Sequence, residues 1–597
     1  MMSWRFSIPA LCALPGVPAL LAVLLVTAPS GCSSSKDSNA SNGPDSATPA
    51  ASAPPSASGP ALKGSKGVAD NGQSGDAAAG HGEHTAVFKT HDLPAPTKPI
   101  AGFTPAAGGF KFQNYGNDKG FTNLTALELR RMFGDKVCGD LDGDTCLLTP
   151  QAERWMEQMN KGMGGGHCEG FAALSLLMQR GQIEPSLFGA AGANGLDIDG
   201  NDKLQREIAY WFVTQGVMPM AQSEDKTLRP SEVVAKIAES LAGGTESYTL
   251  GIYQPGYQAG HATTPYGIAE KENDVVWILH YDNNYPGEER HIEVDKKTET
   301  WAYTTAADPN GGESGYKGDA ETKTLTIAPS SVRTGPLVCH FCGDVDAKDD
   351  AAAKGSAGGG VAMREIMMDG DGDLLIIDES GKRLGYAGDQ LVNEIAGAFF
   401  AAEKSGDPAG EPDYFVPVGK KLKVFVDGSD LQADSSSDVF LVGPGYTLGV
   451  EGIALGKGQR DELELAADWS EIRYTTKQNE SPTIVVGIET SGADYTFEVN
   501  VAGDGDGQTV TLGLDIAKGL FALHVDGGPA KSDFTVELEM LTDSGEQTFK
   551  HKGMDVGADQ IALFEYGAWK GNKTPLHVTI TDQKGAVIEQ KDASDED

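Results

Sequence analysis

Gly164-Gly165-Gly166-His167-Cys168-Glu169-Gly170-Phe171-Ala172-Ala173-Leu174-Ser175-Leu176-Leu177-Met178 is the stretch on which the fold turns. Three glycines end at Cys168, and from there to Arg180 apolar residues recur three or four apart, the spacing of a helix. Cys168 therefore opens the helix. A thiol there feels the positive end of the helix dipole and unpaired backbone N–H groups, which favour a thiolate and can hold a developing oxyanion. The glycines let backbone approach a substrate closely. Taken alone, a cysteine in this position is more often a packed core residue, so the surrounding chain must decide.

On either side of this stretch the helical spacing continues. Leu124–Phe133, Pro150–Asn160, Lys203–Gln215 and Pro230–Leu241 each place apolar residues three or four apart, with Pro150 and Pro230 suited to first turns and Gly181 and Gly216 to C-terminal stops. After Tyr248 the period becomes strand-like, over Tyr248–Tyr253, Ala262–Ala269, Val275–Tyr281, His291–Val294 and Thr324–Ile327. Helices followed by a sheet predict an α+β unit, set at residues 100–345.

The strand region carries Gly260-His261-Ala262-Thr263-Thr264-Pro265-Tyr266-Gly267-Ile268, then Val275 to Tyr281 followed by Asp282-Asn283-Asn284-Tyr285-Pro286-Gly287. A histidine beginning one strand and an Asp or Asn ending the next meet when the two strands pair as a hairpin. The partner then orients an imidazole that activates the thiol. Asp282 and Asn283 both qualify as that partner, and an ionised Asp282 stabilises imidazolium more strongly. His261, His280 and Asp282 also make a zinc-type donor set, but their spacing fits no metal motif and no cofactor is implied. His167 reads as a rim or structural residue.

The chain has 7 cysteines, and each can be given a job. Cys12 lies in the leader, and Cys32 stands as a lipid acceptor. Cys138 and Cys146 flank an acidic turn that a disulfide could close, and Cys339 and Cys342 could form a second bridge. Cys168 is left over as a free thiol. Asp140–Asp144 and Asp369–Asp373 alternate carboxylates as calcium loops do, but neither has the Gly and Glu spacing of an EF-hand, and acidic hairpin turns are the plainer reading.

At Cys168, His261 and Asp282 or Asn283 the chain resembles the papain-like superfamily, which includes papain-type peptidases, peptidases of bacteriocin exporters and transglutaminases. The resemblance covers about Phe110–Gly343 and implies a catalytic order of Cys, His, then Asp or Asn. GGGHCEGFA, GHATTPYGI, YDNNYPG and CHFC together resemble a group of bacterial exported proteins and lipoproteins. Papain-type enzymes place an oxyanion glutamine about six residues before the cysteine; here that position is Gly162, with Gln158 and Asn160 as nearby substitutes.

The ends of the chain set its surroundings. Arg5, the apolar run Val17–Val26 and small residues before Cys32 predict a signal peptide over 1–31. Ser30-Gly31-Cys32 resembles the end of a bacterial lipobox, with Pro29 where Leu is usual, and implies lipidation of Cys32 and outer-membrane, periplasmic or surface display. Residues 32–99 are rich in Ser, Ala, Gly and Pro and read as a disordered tether. Formal charge is -39, with Asp+Glu 86 against Lys+Arg 47, so the field repels phosphate backbones and nucleic acid is excluded as a partner.

Residues 346–360 read as a second linker, and short β runs beyond it predict two sandwiches, at 361–480 and 481–597, divided near Glu480. Gly385-Tyr386-Ala387 and Val392–Phe400 resemble a module of bacterial surface proteins covering about Val361–Val450. The expected function is a cell-surface cysteine hydrolase acting on peptide or isopeptide bonds of a peptide or protein substrate, with contact to the membrane only through the lipid. A transglutaminase-type acyl transferase and a catalytically inactive adhesin or scaffold are the alternatives.

Overall fold

The computed structural model describes residues 93–596 apart from 144, 309–310, 344, 346–360, 389, 408–409, 476–479, 502–507 and 527–530. The leader, Cys32, most of the tether and the linker expected at 346–360 lie outside the described residues. Helices α1 (Ala126–Phe133), α2 (Pro150–Gly162), α3 (Cys168–Gln179), α4 (Asp202–Val213) and α5 (Pro230–Leu241) stand where the apolar spacing puts them. Local chemistry fixes their starts. Thr125 and Glu128 form a capping box on α1, Asn201 caps α4, and prolines open α2 and α5.

Helix α3 is buried from Cys168 through Met178, so it is the central element of its layer and not a one-sided surface helix. Its closest neighbour is α4. A Cβ on Gly170 would fall 2.1 Å from the Ile208 carbonyl oxygen, so only glycine allows this approach of the two backbones. Across its other face, Thr264 donates to the Ala172 carbonyl at 3.1 Å and also meets Ser175 Oγ.

That face belongs to a sheet that follows the hairpin β1 (Cys138–Asp142) and β2 (Thr145–Leu148) in the chain and consists of β3 (Tyr248–Ile252), β4 (His261–Glu270), β5 (Val275–Tyr281), β6 (Arg290–Asp295), β7 (Thr300–Thr305), β8 (Ser314–Asp319) and β9 (Leu325–Pro329). These seven strands run antiparallel in the order β8-β7-β6-β5-β4-β3-β9. Strands β7 and β8 were not anticipated. Thr-Trp-Ala-Tyr-Thr-Thr in β7 alternates exposed and buried positions as a one-sided strand should, whereas β8 carries two glycines and offers little period. Pairing of β4 with β5 sets Thr264 opposite Tyr281, which brings the start of β4 and the residues after β5 to the same end of the sheet.

Disulfides join Cys138 to Cys146 and Cys339 to Cys342, while Cys168 is free and buried. Bridges of this kind persist in oxidising compartments, which points away from the cytoplasm. Among the described residues no helix is long and apolar enough to cross a membrane.

Beyond residue 361 the chain is β, in two antiparallel sheets of nine and eleven strands. The expected division near Glu480 is not a break between two sandwiches. Tyr446–Leu455 pairs with Thr483–Glu489 in one sheet, and Glu471–Thr475 pairs with Thr509–Asp515 in the other. A single apolar core runs from Ile366 to Ala593. Glu480 stitches the junction, accepting from the Ala454 N–H at 2.7 Å and the Tyr474 hydroxyl at 2.8 Å. The described strands on either side of Glu480, Glu471–Thr475 and Thr483–Glu489, belong to different layers of one continuous structure.

The sandwich packs directly on the helical unit. Phe440 and Val442 share a core with Trp155 and Phe341, and the Arg154 guanidinium lies 4.3 Å from the Phe440 ring centroid while pairing with Glu451 at 2.8 Å.

Candidate active site

Fold geometry brings Cys168, His261 and Asp282 together from three elements: the first turn of α3, the first residue of β4 and the residue after β5. All three side chains are fully buried. His261 Nε2 lies 2.9 Å from Asp282 Oδ1, and the imidazole couples electrostatically to the Cys168 sulfur. With Nε2 taken by the carboxylate, Nδ1 is the nitrogen left for the thiol; it has no formed hydrogen bond to any group. Burial disfavours the imidazolium, but the Cys168 sulfur and the Asp282 carboxylate outweigh it and lift the pKa of His261 to about 10.

Asp282 is the orienting residue. Its Oδ1 also accepts the Asn284 N–H at 2.9 Å, and its Oδ2 accepts the hydroxyls of Tyr303 and Thr305, each at 2.7 Å. Burial alone would raise its pKa. His261, His280 and the Tyr303 hydroxyl instead hold the carboxyl well below the usual range. Tyr303 and Thr305 lie on β7, so the strand missed in the sequence supplies half of the carboxylate's support.

Asn283, the other sequence candidate, does different work. Its amide donates to the carbonyls of Cys168 at 3.2 Å and Ala262 at 2.8 Å, pinning the Cys168 backbone to β4. His167 is structural, as expected. Its ring bonds the Tyr115 carbonyl at 2.6 Å and Asn123 Oδ1 at 2.8 Å, and burial drops its pKa to about 4. His280 sits edge-on to Tyr303 with neither ring nitrogen hydrogen-bonded, and burial drops its pKa to about 3.

The proposed oxyanion substitutes are placed elsewhere. Asn160 is engaged with the loop before α1, accepting from the Leu124 N–H at 3.0 Å and donating to the Leu124 carbonyl at 3.1 Å. Gln158 lines a cavity with Glu403 and Asp413 and makes no hydrogen bond to Cys168. Both point away because α2 presents them to the α1 side and to the sandwich.

The amide that reaches the thiol comes from Asn114, whose Nδ2 lies 3.1 Å from Cys168 Sγ. Its Oδ1 accepts the His167 N–H at 2.7 Å, and its own backbone N–H donates to the Asn283 carbonyl at 2.9 Å, so the side chain is held at both ends. No periodicity marks Asn114, which sits in loop sequence far ahead of Cys168.

Glu169, next to Cys168, pairs with Arg333 inside the protein and accepts from Thr249 Oγ1 at 2.8 Å. Of the first acidic run, Asp140 and Asp142 lie on the strand Cys138–Asp142 and Asp144 lies outside the described residues; Asp369–Asp373 lies at a hairpin turn, where Asp371 accepts from Ser435 Oγ at 2.6 Å. No protein family, curated protein or solved structure matches the chain.

Proposed function

We propose that this chain is an exported thiol hydrolase with a papain-like catalytic unit, acting on peptide or isopeptide bonds through a thioester on Cys168. The observation that carries this reading is the buried Cys168–His261–Asp282 chain with the Asn114 amide against the sulfur.

In the acylation step Cys168 Sγ bonds to the substrate carbonyl carbon with the proton already held on His261 Nδ1. The tetrahedral oxyanion is held by the Asn114 amide and the first-turn N–H groups of α3. As the C–N bond breaks, Nδ1 returns the proton to the leaving amine. Water then gives a proton to Nδ1 and its oxygen to the thioester carbon, and Sγ leaves as thiol when that proton is returned. Asp282 keeps Nε2 protonated and the ring oriented throughout. An amine in place of water would give acyl transfer by the same residues.

Full burial of the three side chains favours a second reading, a scaffold in which the site is a relic. Peptide or isopeptide hydrolysis that disappears in Cys168→Ala supports the enzyme; hydrolysis that persists in that variant contradicts it. The Ser30-Gly31-Cys32 junction supports lipid anchoring through Cys32. A Cys32→Ala chain that still floats with membranes would refute the anchor.

A further inference from the structure

A segment of the sandwich runs close against the glycines that flank Cys168 and His261. After the short strand Phe399–Ala401 of the sandwich, residues 402–407 run in without regular structure and pass between two walls of the site. One wall is the glycine run before the nucleophile. A Cβ on Gly166 would fall 2.8 Å from the Ser405 carbonyl oxygen, and one on Gly165 would fall 2.9 Å from the Asp407 nitrogen. The other wall is the approach to the base. A Cβ on Gly260 would fall 2.2 Å from the Glu403 carbonyl oxygen.

The segment is bound through its backbone. The Gly406 N–H donates to the carbonyl of Gly260, the residue preceding His261, at 2.8 Å. Gly406 has φ +85, and a Cβ on it would fall 2.5 Å from the Ala307 carbonyl oxygen. That carbonyl is 3.9 Å from Cys168 Sγ. Glycine is thus the residue that fits against the Ala307 carbonyl, the group next to the sulfur.

Two residues earlier, Lys404 is held as a side chain in a pocket. Its Nζ lies 3.2 Å from Glu224 Oε1, 3.3 Å from the Tyr253 hydroxyl and 3.8 Å from Glu169 Oε2, and its N–H donates to Gln215 Oε1 at 2.9 Å. Lysine costs much to bury, and here its charge meets Glu224, which Lys226 also pairs at 2.9 Å, while Glu169 has Arg333 as its nearer partner.

We infer that residues 403–407 occupy the substrate path, so that Lys404-Ser405-Gly406 is a built-in pseudo-substrate and the site takes extended peptides with lysine two positions before a glycine. This rests on the thiol-hydrolase reading and adds a substrate class and a closed resting state to it. The walls are backbone lined by glycines, which suits recognition of an extended chain. Glu224, with the Tyr253 hydroxyl, supplies selection for a cation.

Gly406→Val in the full chain tests the occupancy, since a branched side chain has neither the φ nor the room beside Ala307. Labelling of Cys168 by iodoacetamide, read by peptide mass, should rise at least about tenfold as the closed population falls. Lys404→Ala loosens the same segment without adding bulk and should act in the same direction, which covers the case that Gly406→Val fails to fold. A synthetic peptide of residues 402–408 should then protect Cys168 in the opened chain, while the same peptide with valine for glycine should not. Unchanged labelling in both folded variants, or equal protection by the two peptides, would overturn the inference. His261→Ala in the opened background separates this from the enzymatic reading. Labelling that depends on His261 without selective protection removes the pseudo-substrate alone, and selective protection without dependence on His261 removes the catalytic assignment alone.

Discussion

Asp282→Asn keeps the shape of the carboxylate and removes its charge. The amide oxygen can stay at the Oδ1 position, where both partners, His261 Nε2 and the Asn284 nitrogen, are N–H donors. The amide NH2 then faces the hydroxyls of Tyr303 and Thr305, which can rotate to accept. The fold should survive, with a loss of a few kcal/mol as charge-assisted hydrogen bonds become neutral ones. The imidazolium loses one of the two groups that lift its pKa to about 10 against burial. A fall of about two units is a factor of about 100, or roughly 2.7 kcal/mol, in the stability of the charged form.

At neutral pH a ring with a pKa near 8 is still charged, so Cys168 alkylation in Asp282→Asn should change little there and should separate from the wild type between about pH 8 and 10, where the variant loses its imidazolium first. The linkage has a definite sign. Because the folded pKa of His261 lies above its ordinary value of 6.5, the stability it adds is fully present below that value and is lost as pH rises through about 10. In Asp282→Asn the upper edge of that window should move down, visible in urea unfolding at several pH values. A variant that alkylates at the wild-type rate with an unchanged pH profile would refute the role given to Asp282.

Asn114→Ala should lower the rate of peptide hydrolysis on the order of 100- to 1,000-fold, the usual effect of losing one oxyanion donor, while alkylation, which forms no oxyanion, changes far less. Equal losses in the two assays would mean that Asn114 only supports the His167 backbone. Arg333→Met leaves Glu169 charged and buried and should cost about 3–5 kcal/mol in urea unfolding, whereas adding Glu169→Gln should recover part of it. A double variant no more stable than Arg333→Met would contradict a paired buried charge.

Legibility in the sequence followed local signal. Helix α3 and the residues at its start were readable because glycine, cysteine and a helical period adjoin one another, and β4 and β5 because each carries a strand pattern with its functional residue at the end. Asn114 was not readable, since it reaches Cys168 through a loop with no period and across 54 positions of chain. The choice between Asp282 and Asn283 had to come from strand pairing and from the hydroxyls of β7, an element whose alternation over Thr300–Thr305 went unread. The continuity of the two long sheets past Glu480 was also hidden, because strand neighbours in a sandwich are set by pairing between distant segments, which turn residues do not encode. The course of residues 403–407 depends on where the sandwich docks, and nothing local to Lys404-Ser405-Gly406 announces it.

The most direct test of the account is acid-quenched trapping of a covalent intermediate, with the opened Gly406→Val chain mixed with an activated ester of a lysine- and glycine-bearing peptide. The expected result is an initial burst of leaving group together with an acyl group mapped to Cys168, both lost when His261 is replaced by alanine. Ester turnover without an acyl group on Cys168, or acylation of Cys168 that is indifferent to His261, would contradict the assignment of a thiol nucleophile served by that histidine.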